Sequence, residues 1–196
     1  EVDFVQLQIN YADWESETVE SRKCYEAARA HGLPVVVMEP VKGGSLVHLP
    51  EEAADVLRAV NQDESLPSWA LRFAAGVLTV LSGMSTPDQV SENTQIMRSF
   101  HPLTHEEDEA LARVRAILDG VSTVPCTDCR YCLKNCPKGV RIPAALASLN
   151  ILELFHDMHR AQENYDWNAS SGPASTCVGC GACESVCPQH IEIVKE

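Results

Sequence analysis

Eight of the nine cysteines lie between Cys126 and Cys187, and their spacing is the strongest chemical signal in the chain. They form the pattern C-x2-C-x2-C-x3-C-P twice, and each cysteine of the second copy follows its counterpart by 51 residues. The first copy contains Cys126, Cys129, Cys132 and Cys136, and the second contains Cys177, Cys180, Cys183 and Cys187. This duplication indicates a repeated metal-ligand loop.

The spacing predicts the ligands of two 4Fe–4S clusters. Three thiolates at intervals of three residues can reach three iron corners of one cluster, and in two-cluster proteins the fourth thiolate binds the other cluster. The predicted ligands of one cluster are Cys126, Cys129, Cys132 and Cys187. The predicted ligands of the other cluster are Cys177, Cys180, Cys183 and Cys136. Because this ligation is crossed, neither site is complete without both copies.

Structural zinc and disulfide bridges are the alternatives for so many cysteines. Paired C-x2-C elements often hold tetrahedral zinc, but zinc explains neither the third cysteine at the same interval nor the prolines Pro137 and Pro188. No secretory signal is present to favour disulfides, and clustered cysteines in a cytosolic setting favour metal. We therefore expect a cytoplasmic iron–sulfur protein. The ninth cysteine, Cys24, takes an amphipathic helix position, and we expect it to be packed.

The overall charge limits the classes of partner. The formal net charge is −13, and an acidic surface argues against nucleic acid, which requires a basic footprint. No apolar run approaches the ~20 residues of a membrane span, so we expect no membrane partner. A redox partner protein or a soluble electron carrier is the predicted partner.

The first hundred residues alternate predicted strands with predicted helices. The predicted strands are Asp3–Tyr11, Leu33–Met38 and Leu78–Leu81. The predicted helices are Glu17–Ala30, Pro50 to about Val60, Ser68–Ala75, and one that a capping box at Thr86 opens and that runs through Ile96. This alternation is typical of parallel βα units, so an α/β fold is predicted here.

Three stretches of this region resemble the aldo/keto reductase family. They are VVVMEPVKGGSL (Val35–Leu46), WALRFAAG (Trp69–Gly76) and VLSGMSTPDQVSEN (Val80–Asn93). The resemblance covers about residues 2–100 and implies the last three βα units of a (β/α)8 barrel. Residues 125–196 resemble the helical two-cluster ferredoxin-like domain that one branch of the family carries.

The resemblance also implies a nucleotide site. The family binds a nicotinamide dinucleotide at the carboxyl ends of the barrel strands, where barrel active sites lie. Gln6 matches the glutamine that hydrogen-bonds the nicotinamide amide. The loop that starts at Val41 matches the one whose backbone amides approach the pyrophosphate. Gly43 and Gly44 allow that approach because they lack a Cβ.

Glu92 and Asn93 match the pair that contacts the adenine, but nearby positions depart from the family pattern. Met38 stands where many members have an aromatic ring that stacks on the nicotinamide. Gly83 and Gln89 stand where NADP-preferring members have Lys and Arg against the 2′-phosphate. These departures weaken the case for NADP and leave a flavin as the alternative to a nicotinamide cofactor.

The catalytic Asp, Tyr, Lys and His of the family lie on earlier strands, which this chain does not contain. Three strands are predicted here, against eight in a closed barrel of about 250 residues, so no catalytic residue is assigned. Three parallel strands would also leave an open edge. We expect the missing strands to belong to a truncated part of the same natural chain, or else to another copy.

The remaining residues predict a connecting helix and linker over 101–124 and the cluster domain over 125–196. The connecting helix has a capping box that starts at Thr104. Between the cysteine motifs, one long helix is predicted from Pro143 to about Glu163, and an inserted helix of this length favours the helical ferredoxin arrangement.

Two functions remain open from the sequence. The first is an iron–sulfur oxidoreductase of aldo/keto reductase type, whose clusters relay single electrons to or from a barrel active site. The second is a ferredoxin-like electron-transfer module that docks on a separate redox enzyme. A natural reading frame that supplies the early strands would favour the enzyme, whereas a natural start near Glu1 would favour the module.

Overall fold

The structure is a computed structural model that describes residues 2–196. The chain divides into two compact units, of which the first ends at Gly120 and the second runs Val121–Glu196. The helix that was predicted to connect two domains is part of the first unit, where it packs against another helix. Within residues 2–196, every helix is too short or too polar to span a lipid bilayer.

Over residues 2–120, the structure of the first unit shows three strands and five α-helices, in the predicted alternating order. The elements are β1 (Val5–Gln8), α1 (Ser21–Ala30), β2 (Val35–Met38), α2 (Glu51–Val60), α3 (Leu66–Ala74), β3 (Thr79–Leu81), α4 (Pro87–Arg98) and α5 (His105–Asp119). A 3-10 segment, Lys42–Val47, follows β2. β1 is shorter than predicted because only four of its residues pair with β2.

The three strands form one parallel sheet in the order β1-β2-β3. Val5 lies opposite Val35, and Val36 lies opposite Thr79. The central strand β2 is buried at Val35, Val36 and Val37, as expected for an apolar strand that is covered on both faces. Because the strands are parallel, their carboxyl ends meet at one edge of the sheet.

Both lateral edges of the sheet carry exposed apolar side chains. Phe4 is 52% exposed beside β1, and Leu78 and Leu81 are 63% and 49% exposed at β3. The helix α4, which follows β3, has no buried residue. These edges have the open character that was expected of a sheet with only three strands.

A group of three aromatic side chains fills the space between the sheet and its helices. The ring of Trp14 lies 5.7 Å from Tyr25 on α1 and 5.5 Å from Phe73 on α3. These rings pack against a buried cluster that includes Ile9 and Val37. Full burial of an apolar side chain contributes roughly 1.5–3 kcal/mol. These three rings are partly buried, so each contributes less, and together they hold α1 and α3 to the sheet.

A buried ion pair joins α3 to α5. Arg72 donates to both carboxylate oxygens of Glu107, at 2.8 and 2.6 Å, and the side chains are only 1% and 8% exposed. The guanidinium also donates to the His101 carbonyl and lies 3.5 Å from Glu64. Glu107 in turn accepts from the Thr104 amide, which confirms the predicted capping box. Hydrogen bonds from Arg72 lower the pKa of Glu107 to about 2.

The substitution Glu107→Gln should destabilise the first unit by about 3 kcal/mol, because it leaves the buried Arg72 charge without its main partner. Urea unfolding of the chain measures this loss. The pKa of Glu107 falls from an ordinary 4.5 to about 2 on folding. The contribution of the pair is therefore complete above pH 4.5 and disappears as the pH falls toward 2. Equal stability of Glu107→Gln and of Glu106→Gln, an exposed neighbour, would contradict this role.

The second unit is built from short helices around the cysteine loops. Its elements are α6 (Tyr131–Asn135), α7 (Ile142–Phe155), α8 (Met158–Asn168) and the 3-10 segments Ala174–Thr176 and Glu184–Val186. An apolar cluster of Val140, Ile142 and Leu146 packs with Cys132 and Cys183. The cysteines of the two motifs thus share the core of this unit.

The prediction of one long helix from Pro143 to about Glu163 is wrong. The chain leaves the helix at His156, which has a left-handed φ of 51°, and Asp157 begins α8 by accepting from the Arg160 amide at 2.9 Å. The helices α7 and α8 then pack against each other, and Ser148 donates to Asn164 across the pair. Apolar periodicity continues across this break, so it did not reveal the new helix start.

The substitution Asp157→Ala, which removes the N-cap of α8, tests whether the helix is interrupted between α7 and α8. Loss of an N-cap costs about 1 kcal/mol, whereas alanine in the interior of a continuous helix would be stabilising. We therefore expect Asp157→Ala to lower the free energy of unfolding in urea. The matched variant Asp166→Ala, at an exposed interior position of α8, should leave stability equal or slightly higher. A gain in stability from Asp157→Ala would contradict the two-helix arrangement.

Candidate functional site

The two cysteine repeats share their backbone conformation as well as their spacing. Asp128 and Arg130 in the first repeat have φ of 50° and 65°, and Gly179 and Gly181 in the second have φ of 64° and 71°. The matching positions are 51 residues apart, so the duplication extends to the local fold. Glycine adopts this left-handed conformation readily. The first repeat has no glycine at these two positions. There, the Arg130 guanidinium donates to the Asp128 carboxylate at 2.8 Å.

Two cavities in the second unit each contain four cysteines. The Cys126 cavity, of about 20 Å³, is lined in part by Cys126, Cys129, Cys132 and Cys187. The Cys177 cavity, of about 320 Å³, is lined in part by Cys136, Cys177, Cys180 and Cys183. Each cavity therefore takes three cysteines from one repeat and the fourth from the other. This grouping matches the crossed sets that the spacing predicts.

The donor set in each cavity fits a cluster of iron and sulfide, because four thiolates are the usual ligands of a 4Fe–4S group. In residues 2–196, no group of three or more His, Cys, Asp or Glu side chains is arranged so that it could hold a metal ion. The four cysteines of each set thus line one cavity, but their side chains are not arranged around a common metal position. The assignment of individual ligands remains a prediction.

Burial affects the protonation of several of these thiols. Burial raises the pKa of Cys132 to about 11 and also raises the pKa of Cys126 and of Cys183. The thiolate is the form that binds metal. Metal binding at these positions must therefore release protons, and its affinity must increase with pH.

The Cys177 set also receives backbone hydrogen bonds at sulfur. The amide of Val140 donates to Cys136 Sγ at 3.3 Å, and the amide of Gly179 donates to Cys177 Sγ at 3.4 Å. Hydrogen bonds to ligand sulfurs are one of the factors that set cluster potential. Cys24 lies in the other unit and is exposed, so the expectation of a packed thiol is wrong.

Crossed ligation can be tested with Cys187→Ser. We expect this variant to lose the cluster of the Cys126 cavity, so that anaerobic alkylation and mass spectrometry label Cys126, Cys129 and Cys132. The cysteines of the Cys177 cavity should stay protected, and the exposed Cys24 should be labelled in every sample. Cys136→Ser is the matched variant and should expose Cys177, Cys180 and Cys183. Labelling of Cys177, Cys180 and Cys183 in Cys187→Ser would instead indicate that each repeat binds its own cluster.

The predicted nucleotide-site residues lie in or near the strands and at their carboxyl ends. Gln6 is within β1, and its amide donates to the Met38 sulfur at the end of β2, at 3.2 Å. Gly43 and Gly44 have φ of 60° and 95° in the segment that follows β2. Gly83 follows β3, and a Cβ at this position would meet no atom within 4 Å.

The three predicted residues of α4 do not come together in one site. The Gln89 side chain accepts from the Ser85 amide at 2.7 Å and from the Thr86 amide, as a helix cap. Asn93 donates to Ser82 Oγ at 2.9 Å and lines a cavity beside β3. Glu92 lines a different cavity, toward α3. The cap role of Gln89 confirms the predicted capping box at Thr86.

Sequence reasoning missed a polar cluster at the carboxyl edge of the sheet. Asp13 accepts from Gln8 at 2.8 Å and from Asn10 at 2.9 Å, and it forms an ion pair with Lys42. Asn10 is fully buried and Asp13 nearly so. Burial raises the pKa of Asp13, but Lys42 and the hydrogen bonds outweigh it and the net shift is downward. Polar residues directly after a strand with alternating apolar and polar residues were the available signal.

Comparison with known proteins gives two family matches. The aldo/keto reductase family matches residues 1–116, and the 4Fe-4S dicluster domain matches residues 125–192. Among solved structures, the apo form of aldo-keto reductase AKR11C1 from Bacillus halodurans is 26% identical, with a TM-score of 0.46. The match covers 58% of this chain and 44% of that chain. No curated protein matches.

The family matches divide the chain as the fold does. The dicluster match contains both cysteine repeats and supports iron–sulfur clusters in the second unit. The aldo/keto reductase match contains the parallel sheet, the carboxyl-edge cluster and most of α5. It extends over more than half of the 196 residues, and this chain therefore belongs to the aldo/keto reductase family.

Proposed function

We propose that this chain is part of an iron–sulfur oxidoreductase in which two 4Fe–4S clusters exchange single electrons with a nucleotide-dependent barrel site. The proposal rests on one observation above all. A chain of the aldo/keto reductase family contains two cavities, and each is lined by a crossed set of four cysteines. A reducing compartment, such as the cytoplasm, would keep these thiols free for metal.

The chain's own residues have distinct parts in this proposal. When bound, the clusters supply one-electron chemistry. Cys126, Cys129, Cys132 and Cys187 would hold one cluster, and Cys136, Cys177, Cys180 and Cys183 would hold the other. The amides of Val140 and Gly179 orient two sulfurs of the second set. Exposure of Cys129, Cys177 and Cys180 gives a partner protein or a soluble carrier access to both sets.

The first unit would supply part of a nucleotide site. Its parallel order and its family support its interpretation as the last three βα units of a (β/α)8 barrel. Gln6 and the Gly43–Gly44 loop lie at strands whose carboxyl ends share one edge, where barrel sites bind ligands. The bound nucleotide would be NAD(P) or a flavin. The family's catalytic residues would come from strands supplied by the same natural chain or by another copy.

A ferredoxin-like module is the second candidate, and the exposed sheet edges favour it. Apolar side chains at both edges, and a helix α4 without buried residues, form a surface that a separate redox enzyme could cover. In that case the first unit would serve as a docking platform. The acidic charge would favour a partner with a basic surface.

Anaerobic analysis of iron and sulfide, with EPR spectra before and after dithionite, tests the proposal. We expect about eight irons and eight sulfides per chain, the content of two 4Fe–4S clusters. Reduction should produce the signal of two coupled clusters. One or two zinc ions without such a signal would overturn the redox proposal.

Nucleotide binding distinguishes the enzyme from the module. Titration of the chain with NADH, NADPH and flavins should give saturable binding if the first unit is part of a barrel site. Full cluster content without any nucleotide binding, together with tight binding to a separate redox enzyme, would instead support the module.

A further inference from the structure

The loop after β2 has an unusual backbone. Four of its residues, Glu39, Lys42, Gly43 and Gly44, have φ between 50° and 95°. Two of them carry a side chain, and such residues avoid this region unless the surrounding structure enforces it. Something must therefore hold Glu39 and Lys42 in place.

Two contacts from the segment after β1 act on these two residues. Asn10 donates to the Glu39 carbonyl at 3.2 Å, and Asp13 forms the ion pair with Lys42 Nζ. Asn10 and Asp13 also bind each other twice, because the Asp13 amide donates to Asn10 Oδ1 while the Asn10 amide group donates to Asp13 Oδ2, both at 2.9 Å. We call Asn10 and Asp13 the clamp, and its two side chains are held by each other as well as by the loop.

The clamp lies at the carboxyl edge of the sheet, where barrel sites bind ligands. The Lys42 side chain is 28% exposed, whereas that of Asp13 is only 9% exposed. A lysine ammonium has three donors, so Lys42 can hold Asp13 on its buried side and still present a donor outward. The amides of Lys42 and Gly44 already donate to the carbonyls of Glu39 and Val41, so the Lys42 ammonium is the main donor that the loop offers to an anion. Gly43 and Gly44 leave its approach open because they lack a Cβ.

We propose that Asn10 and Asp13 are positioning residues that hold the Glu39–Gly44 loop and Lys42 Nζ in the shape that receives the phosphates of a nucleotide cofactor. This inference rests on the proposed nucleotide site and extends it to residues outside that site. Neither Asn10 nor Asp13 touches the nucleotide. They act through the loop.

The test uses Asp13→Asn, which keeps the size of the side chain but removes its charge. Amide hydrogen exchange in residues 39–44, measured without nucleotide, should become faster by about tenfold or more, since loss of a charged hydrogen bond amounts to this much. NADH affinity, measured by fluorescence titration, should fall by a similar factor. Lys42→Met should weaken binding too, whereas Lys42→Arg should retain most of it.

The matched control is Asp55→Asn, which removes the charge from an exposed ion pair with Arg58 on α2. It should change neither the loop exchange nor the affinity. If Asp13→Asn and Asp55→Asn gave equal loop exchange with native helical signal, the clamp would be refuted. If the unaltered chain bound neither NADH nor a flavin, the proposed nucleotide site would fall and the phosphate role with it, whereas exchange in the loop would still decide the clamp.

Discussion

Each cysteine cavity of the second unit takes three side chains from one repeat and one from the other. Neither cavity can form until both repeats have folded against each other, and the buried pair Cys132 and Cys183 lies in the apolar cluster that joins them. The helices α7 and α8 bring the repeats together by reversing the chain at His156 and Asp157. This unit of 76 residues, Val121–Glu196, is small enough that bound metal would add substantially to its cohesion.

The first unit depends on a different constraint, because its sheet has one covered strand and two open edges. Strand β2 is buried on both faces, and the aromatic group around Trp14 holds the helices to it. The buried pair of Arg72 and Glu107 then attaches α5, which makes this helix part of the unit instead of a connector. The exposed apolar residues at β3 and α4 remain as a surface that a larger barrel or a partner could cover.

Polar groups at the carboxyl edge connect this three-stranded sheet to its proposed function. Asn10 and Asp13 follow β1, and they contact Glu39 and Lys42 in the loop that follows β2. Contacts between neighbouring strand ends therefore determine the shape of this loop. Parallel topology makes this possible because it places the ends of both strands at the same edge. The same geometry explains why no single stretch of sequence displays the cluster.

The sequence by itself determined the cysteine repeats, their crossed grouping as a hypothesis, the alternation of strands with helices, and the capping boxes at Thr86 and Thr104. These features are local, because spacing, periodicity and caps act over a few residues. Only the tertiary structure decided that the predicted long helix is broken at His156, that Cys24 is exposed, and that Asp13 meets Lys42. Those outcomes depend on contacts between segments distant in sequence, or on the balance between a cap and a continuing helix, which apolar periodicity does not encode.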